Sequence, residues 1–480
     1  MAPVPLNIPF ATQSDPKEFR EQGNERMINA FVTFNGSGKD AKITIRMSPG
    51  QTSRSTDADD IACRGAIRFG DYAYVVFDTG VYKIEISLVA GVLTCGSRTL
   101  IGSITGTGKV YMALNANDQI GVVNQIGRYY VIENDTVTNI STSDIGAFNS
   151  ISWIEGYFIL TLENGEFYNT ELNDAYTISG DFAVAEGSPD GLLGGFAHGS
   201  ELWLPGKNTV EVWGNAGNST GSPFSRLGSA WLNIGCMSFA SFVGCANTVA
   251  WIGNDGIVYK NANYNQRRIS HEGVERAIAS AASPETIEGF TYTIDGHIYY
   301  GISDANFTWV FDFKTERWHE RKSYGSSRWS ANIFIPAFSK WLVGTTNDGN
   351  LYELDMTSRL EGALPIVSEM NSVDNGKTPL QGIVSEIEVD FVTGRASLSG
   401  TVPQTAPMAE VSYSDDGGAT YSGARELLLG AQGEYNKRCR AMNLGCTNAK
   451  FGRRWKLRTS DPHIMAMSRF LAHVEATGPS

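Results

Sequence analysis

Val249-Ala250-Trp251-Ile252-Gly253-Asn254-Asp255-Gly256-Ile257-Val258-Tyr259-Lys260 joins two apolar runs through a tight polar turn. Asp255-Gly256 offers the positive φ that a two-residue hairpin turn demands. Val249 and Trp251 fall on one face, Ala250 and Ile252 on the other, and all four are apolar. Such a strand is packed on both sides. The pattern recurs as YAYVVFDTGVYKI from Tyr72, VYMALNANDQIGVV from Val110, YFILTLENGEFYNT from Tyr157 and LWLPGKNTVEVW from Leu202. It continues as IYYGISDANFTWVFDF from Ile298 and WLVGTTNDGNLYEL from Trp341, with Asn164-Gly165 and Asp348-Gly349 as further turn signals. Successive starts lie 38, 47, 45, 47, 49 and 43 residues apart. Four-stranded propeller blades repeat over that range. A helical solenoid of the same period would need apolar spacing of 3.6, which these segments lack. The reading is an all-β fold built on a β-propeller of about seven blades. Six is the alternative, because the first interval is short.

The chain has 480 residues, 42% hydrophobic and 11% aromatic, with 52 Gly. That composition belongs to a packed chain and excludes a disordered one. No apolar run reaches the roughly 18 residues that a membrane span needs. The opening MAPVPLNIPF lacks a basic, then apolar, leader pattern, so the expectation is a soluble chain made in a cytoplasm. The net charge of −13 weakens any case for general affinity toward duplex DNA. Residues 437–470 carry nine cations (Lys437, Arg438, Arg440, Lys450, Arg453, Arg454, Lys456, Arg458, Arg469) against Asp461 alone. That stretch is +8 and the remainder −21, a layout suited to charge-matched docking. The six cysteines form no C-x-x-C and are read as buried free thiols.

Residues 1–50 read as an irregular arm ending at Ser48-Pro49-Gly50, and 51–360 as the propeller. A short helical insertion near 270–283 has Ser270 as its cap, with Val274, Ala277, Ile278 and Ala281 on one face. Residues 361–379 read as a linker and 380–480 as a small C-terminal β-sandwich with renewed alternation.

No catalytic constellation assembles. Gly217-Asn218-Ser219-Thr220-Gly221 matches a nucleophile elbow in letters, but it lacks the strand and helix that the elbow requires. Gly106-Thr107-Gly108-Lys109 fails as a phosphate loop, since Val110 stands where the metal-binding hydroxyl belongs. His198, His271, His297, His319, His463 and His473 are scattered without metal-ligand spacing, so no metal or cofactor is expected. Asp255, Asp312, Asp348, Asp415 and Asp416 sit in or near turns, where Asp is common. A propeller glycan hydrolase or lyase, or a sugar-binding propeller, is the alternative function, and it needs such carboxylates to converge at one mouth. Ser414-Asp415-Asp416-Gly417-Gly418-Ala419-Thr420-Tyr421 resembles the structural Asp-box hairpin of sialidases. Arg453-Arg454-Trp455-Lys456-Leu457-Arg458, read as a strand, places Arg454, Lys456 and Arg458 on one face. The candidate docking face is therefore Lys437, Arg438, Arg440, Arg453, Arg454, Lys456 and Arg458.

Several stretches, in order, resemble the tail-hub or packaged-DNA stabilisation proteins (tail accessory factors) of short-tailed bacteriophages. They are Asn24-Glu25-Arg26-Met27-Ile28-Asn29, Ser48-Pro49-Gly50, Arg64-Gly65-Ala66-Ile67-Arg68-Phe69-Gly70 and Arg267-Arg268-Ile269-Ser270. Thr308-Trp309-Val310-Phe311-Asp312, Glu316-Arg317-Trp318-His319-Glu320-Arg321, the Ser414–Tyr421 hairpin and Arg453 through Pro462 complete the series. The resemblance implies a non-enzymatic virion protein without cofactor, assembled in the bacterial host cytoplasm as a hexamer at the head–tail connector. It further implies docking below the portal–adaptor ring, extension of the DNA channel and retention of packaged DNA until ejection. The implied partners are a tailspike or fibre protein, a tail plug or needle, and passing DNA held without sequence specificity.

Overall fold

The computed structural model describes residues 3–19, 23–36, 42–55, 61–185, 187–373, 382–447 and 452–476. Among them, seven sheets each place four antiparallel strands in one propeller. The innermost strands are Cys63–Phe69, Val110–Leu114, Ser150–Ile154, Phe196–His198, Val243–Cys245, Glu288–Ile294 and Ala331–Ala337. The ring closes where Ala331–Ala337 packs on Cys63–Phe69. Of the two blade numbers the sequence allows, the sheets give seven. Six of the seven quoted repeats are the second and third strands of a blade. The copy at Val110 is instead the first and second, Val110–Leu114 and Ile120–Asn124. That offset of one strand accounts for the short first interval.

The hairpins at Asn164-Gly165 and Asp255-Gly256 have loops one residue longer than expected. Leu162 N–H reaches Glu166 O at 2.9 Å, and Gly253 N–H reaches Ile257 O at 2.7 Å. Gly165 (φ +100°) and Gly256 (φ +78°) close these loops in the left-handed region, as in three-residue hairpins ending in a bulge. Gly349 has no positive φ, and Asp348 Oδ1 ties that turn by accepting Asn350 N–H at 3.0 Å.

Burial follows the apolar runs. In Thr248–Ile252 all but the first residue is buried, and Trp251 packs with Trp203, Val212 and Phe242 between blades four and five. Each such side chain contributes about 1.5–3 kcal/mol on leaving water. Trp203, Trp251, Trp318, Trp329 and Trp455 are core residues, not sugar platforms. The helix α1 (Glu272–Ala279) is capped by His271, one residue later than expected; its Nδ1 accepts Gly273 N–H at 3.1 Å. Ser270 Oγ instead takes Val258 N–H at 3.0 Å and donates to Glu275 at 2.6 Å. Val274 and Ile278 are buried, with Ala277 and Ala281 packed beside them.

The first fifty residues are not an irregular arm. Gly50–Ser53 is the fourth strand of blade seven, antiparallel to Leu351–Asp355. Ala30–Asn35 and Lys42–Met47 form a hairpin in the sandwich, and Val4–Asn7 pairs with Ala466–Ala476. These segments take the sandwich's strands as partners because each has one apolar face to cover, as with Ala30, Val32, Ile45 and Met47. The expected linker is also structured in its first half: Leu360–Glu361, Leu364–Pro365 and Ser368–Asn371 are strands. Residues 374–379 of that linker lie outside the described residues.

The sandwich core joins Val384, Ile387, Val389, Phe470 and Ala472 of one sheet to Ala409, Val411, Trp455 and Leu457 of the other. All six cysteines are unpaired; Cys95 is half-buried and Cys446 exposed, unlike the other four. No helix among the described residues is long and apolar enough to cross a membrane.

Candidate functional site

The most elaborate polar construction is the joint between propeller and sandwich. Met27–Ile28 lies parallel to Arg317–Glu320, the outer strand of blade six, and antiparallel to Ser368–Asn371. Ser368–Asn371 pairs with Arg454–Thr459, which pairs with Met408–Ser414. The outcome is one nine-stranded sheet running from propeller into sandwich.

Arg26 and Asn29 of the Asn24–Asn29 motif fasten this joint. Arg26 forks onto both carboxylate oxygens of Glu320, with Nε at 3.0 Å from Oε1. Asn29, 1% exposed with φ +52°, donates from Nδ2 to Lys322 O and Val367 O, each at 2.8 Å. Its Oδ1 accepts Lys322 N–H at 3.0 Å, and its carbonyl accepts Ser48 N–H and Ser368 Oγ–H, each at 2.9 Å. Asn suits this position because it tolerates the left-handed region while its amide satisfies buried backbone groups. Gly50 admits nothing larger: a Cβ there would stand 2.7 Å from Leu360 O and Ser358 O. The Asn24–Asn29 and Ser48–Gly50 motifs therefore lie where distant parts of the chain are joined.

His319 is enclosed beside the joint, with its ring 5.7 Å from Tyr299 and 6.5 Å from Phe31. Burial lowers its pKa to about 3, Arg321 and His297 push the same way, and Asp312 opposes them. Between pH 3 and 6.5 the folded chain therefore binds fewer protons here than the unfolded chain, so stability falls as pH drops through that window. The slope approaches about 1.4 kcal/mol per pH unit. Urea melts at pH 6.5 and pH 5.0 should show wild type losing about 1.6 kcal/mol more than His319→Phe. Equal losses would remove His319 from the acid sensitivity.

The cationic stretch does not form one face. Trp455 and Leu457 point into the sandwich core, so Lys456 and Arg458 lie on the outer side of their sheet. Cys439 and Ala441 point inward from the opposite sheet, leaving Arg438 and Arg440 on the other outer side. Arg453 and Arg454 are buried at 3% and 4% exposure. Arg453 forks onto Asp415 at 2.8 and 2.7 Å, donates to Leu444 O and Cys446 O, and covers the Tyr413 ring at 3.8 Å. Arg454 Nη1 donates to Gly417 O at 2.7 Å. Of the remaining cations, Arg438 meets Glu388, Arg440 Glu386, Arg458 Glu410 and Lys437 Glu434, while Lys456 Nζ lies 4.0 Å from the centre of the Tyr421 ring. A local charge excess in sequence becomes cross-strand pairing in the fold, which corrects the single docking face.

The singled-out carboxylates are dispersed among turns and hairpins. Asp255 accepts Tyr259 O–H and Asp348 accepts Tyr352 O–H. Asp312 meets His297 Nδ1 at 2.7 Å in the core. Asp416 fastens its hairpin by accepting from Thr420 N–H, Thr420 Oγ and Ser414 Oγ, which hold its carboxyl well below the usual range. Among the described residues no three His, Cys, Asp or Glu side chains are placed to hold a metal ion. The propeller axis holds a cavity of about 330 Å³ lined by Tyr111, Ile151, Trp153 and Phe196. Lys109, before the innermost strand of blade two, reaches Glu288 of blade six at 2.9 Å across the axial mouth.

Propeller and sandwich, spliced by a shared sheet and with their ionisable groups engaged in holding turns and joints, define a two-part structural β-protein. Residues 16–359 match the family model described as bacteriophage P22 Gp10, beta-propeller, and residues 376–475 match bacteriophage P22 Gp10, beta-sandwich. The chain belongs to this family of phage stabilisation proteins, structural components of the virion tail. No curated protein matches it. Among solved structures it is similar to PorZ, a surface component of the type-IX secretion system of Porphyromonas gingivalis, at 11% identity and TM-score 0.38. That match covers 64% of this chain, which spans only 38% of the length of PorZ. U3-55K (11% identity, TM-score 0.41) and the WD40 propeller of Doa1 (11%, 0.38) are matched over 64% of this chain and 99% and 96% of theirs.

Proposed function

We propose that six copies of this chain assemble in the host cytoplasm into the tail hub, or nozzle, below the portal and adaptor. The ring extends the DNA channel and retains packaged DNA. It also anchors tailspikes or fibres and the tail plug or needle, without catalysis or cofactor. The observation that carries the reading is the splice through Met27–Ile28, which fixes propeller and sandwich as one stiff block. A ring of stiff blocks keeps its bore. The axis of a single propeller offers DNA no passage, being narrow and crossed by Lys109 and Glu288, so the conduit lies between copies. Net charge of −13 suits a lumen along which phosphates slide without adhering. The exposed Arg438, Arg440 and Arg458, with Lys437 and the half-buried Lys456, then serve as contacts on two separate faces.

Cryo-EM of the chain mixed with its portal–adaptor complex tests the hub. Six ordered copies beneath the adaptor are expected. A chain that stays unbound across a range of salt, or a ring with a strongly positive bore, would overturn it.

A further inference from the structure

Blade one carries a hairpin that outgrows its sheet. Gly80–Val89 pairs with Tyr72–Phe77 only as far as Glu85, and from Ile86 onward with Val92–Cys95 alone. Ala90 and Gly91 turn the chain with φ of +50° and +79°, as a two-residue type I′ loop requires. A loop of that type favours Asn, Asp or Gly at its first position, yet the tip reads Leu88-Val89-Ala90-Gly91-Val92. Val89 and Val92 stand opposite each other across the hairpin, 60% and 44% exposed. Glu85, exposed, falls on the same face as Val89 by alternation.

The sandwich has a gap of matching character. Lys42–Met47 pairs with Ala466–Ala476 only at Arg46 and Ile45, then peels away, while Val4–Asn7 takes the same edge from Leu471 onward. The opening is a hollow of about 230 Å³ over Ile8, Phe10, Ile43, Ile45, Met467 and Phe470, with no acidic side chain in its lining. Ile43 stands exposed at the lip beside its cross-strand partner Phe34, also exposed. Lys42 is exposed next to it. Among the described residues neither Lys42 nor Glu85 enters an ion pair.

A ring of six identical copies closes through a contact between two unlike patches, because a self-matching patch ends in a dimer. Tip and gap are such a pair: both apolar, one projecting and one recessed, with an unpaired acid behind the first and an unpaired cation beside the second. Both patches belong to this chain, so a second copy supplies the complement of each. We propose that the Leu88–Val92 tip of one copy seats in the sandwich gap of the next, with Glu85 facing Lys42. This rests on the hub reading and names the contact that links its copies.

The test is assembly of the full chain on its portal–adaptor complex, followed as copies bound per complex against chain concentration. Val89→Asp with Val92→Asp should raise the half-filling concentration about tenfold or more, while the free variant melts like wild type because both sites are exposed. Glu85→Lys and Lys42→Glu should each weaken assembly several-fold, and the variant carrying both should recover it. Benzoylphenylalanine in place of Val89 should photo-crosslink to residues 7–12, 43–45 or 467–470 of another copy. Normal filling with the aspartate tip, a double charge swap no better than the single ones, or crosslinks confined elsewhere would overturn the contact and leave the hub standing. A wild-type chain that never binds the portal–adaptor complex overturns the hub reading and this contact with it.

Discussion

Replacing Arg321 with alanine is expected to destabilise the chain by about 3–5 kcal/mol, the range for removing one partner of a buried ion pair. Arg321 is fully enclosed and its guanidinium lies 4.0 Å from the centre of the Trp329 ring. Nη2 donates to Pro49 O at 3.1 Å and stands 3.6 Å from Glu361. Three distant segments therefore meet on one side chain: the approach to the closing strand, the end of blade six and the crossing into the sandwich. Burial already raises the Glu361 pKa, and Arg321 is the first influence holding it down. Without the cation, Glu361 must take up a proton or draw in water, and Pro49 O loses its donor. Denaturant melts followed by tryptophan fluorescence measure the loss. Adding Glu361→Gln to the alanine variant should return about 1 kcal/mol or more, because no charge is then stranded. A loss under about 1 kcal/mol in the single variant would mean that packing alone secures the joint.

Arg453→Glu is expected to prevent the sandwich from folding, with a cost on the order of 5 kcal/mol or more. The new carboxylate would face Asp415 and the carbonyls of Leu444 and Cys446, which Arg453 now satisfies at 2.7 to 2.9 Å. It would also lose the Tyr413 face. Arg458→Glu is the matched control, since Arg458 pairs with Glu410 on the exposed face of the sheet. Its effect on stability should stay within about 1 kcal/mol. Limited proteolysis across residues 382–476, beside circular dichroism, separates the two outcomes. If Arg453→Glu folds and melts like wild type, the buried fork contributes nothing to the sandwich.

The blades were legible because each hairpin is local: Trp251 and Tyr259 meet across a turn that the sequence spells out. The strand that completes blade seven was not, since Gly50-Gln51-Thr52-Ser53 has little apolar signal and its partner lies about three hundred residues away. Alternation correctly placed Lys456 and Arg458 together on one face. It could not show that Asp415, 38 residues earlier, would draw Arg453 into the interior, nor that Arg438 faces out from the opposite sheet. Capping by His271 instead of Ser270 turned on Ser270 being engaged by Val258 and Glu275. The Asn24–Asn29 motif was visible as letters, but its purpose as a joint appears only once Asn29 and Arg26 are seen against blade six.

The strands borrowed from the beginning of the chain also set a schedule. Ribosomes deliver Gly50–Ser53 long before Leu351–Asp355, Met27–Ile28 long before Ser368–Asn371, and Val4–Asn7 before the end of Ala466–Ala476. Middle blades can zip up from contiguous sequence during synthesis, while the early segments stay unpaired with their edges open to other chains. Such long-range pairing makes for slow completion. Translation of the stretch from residue 351 to residue 480 is thus the step that converts an open, sticky intermediate into a finished subunit, and synthesis halted before residue 351 leaves a ring with no clasp.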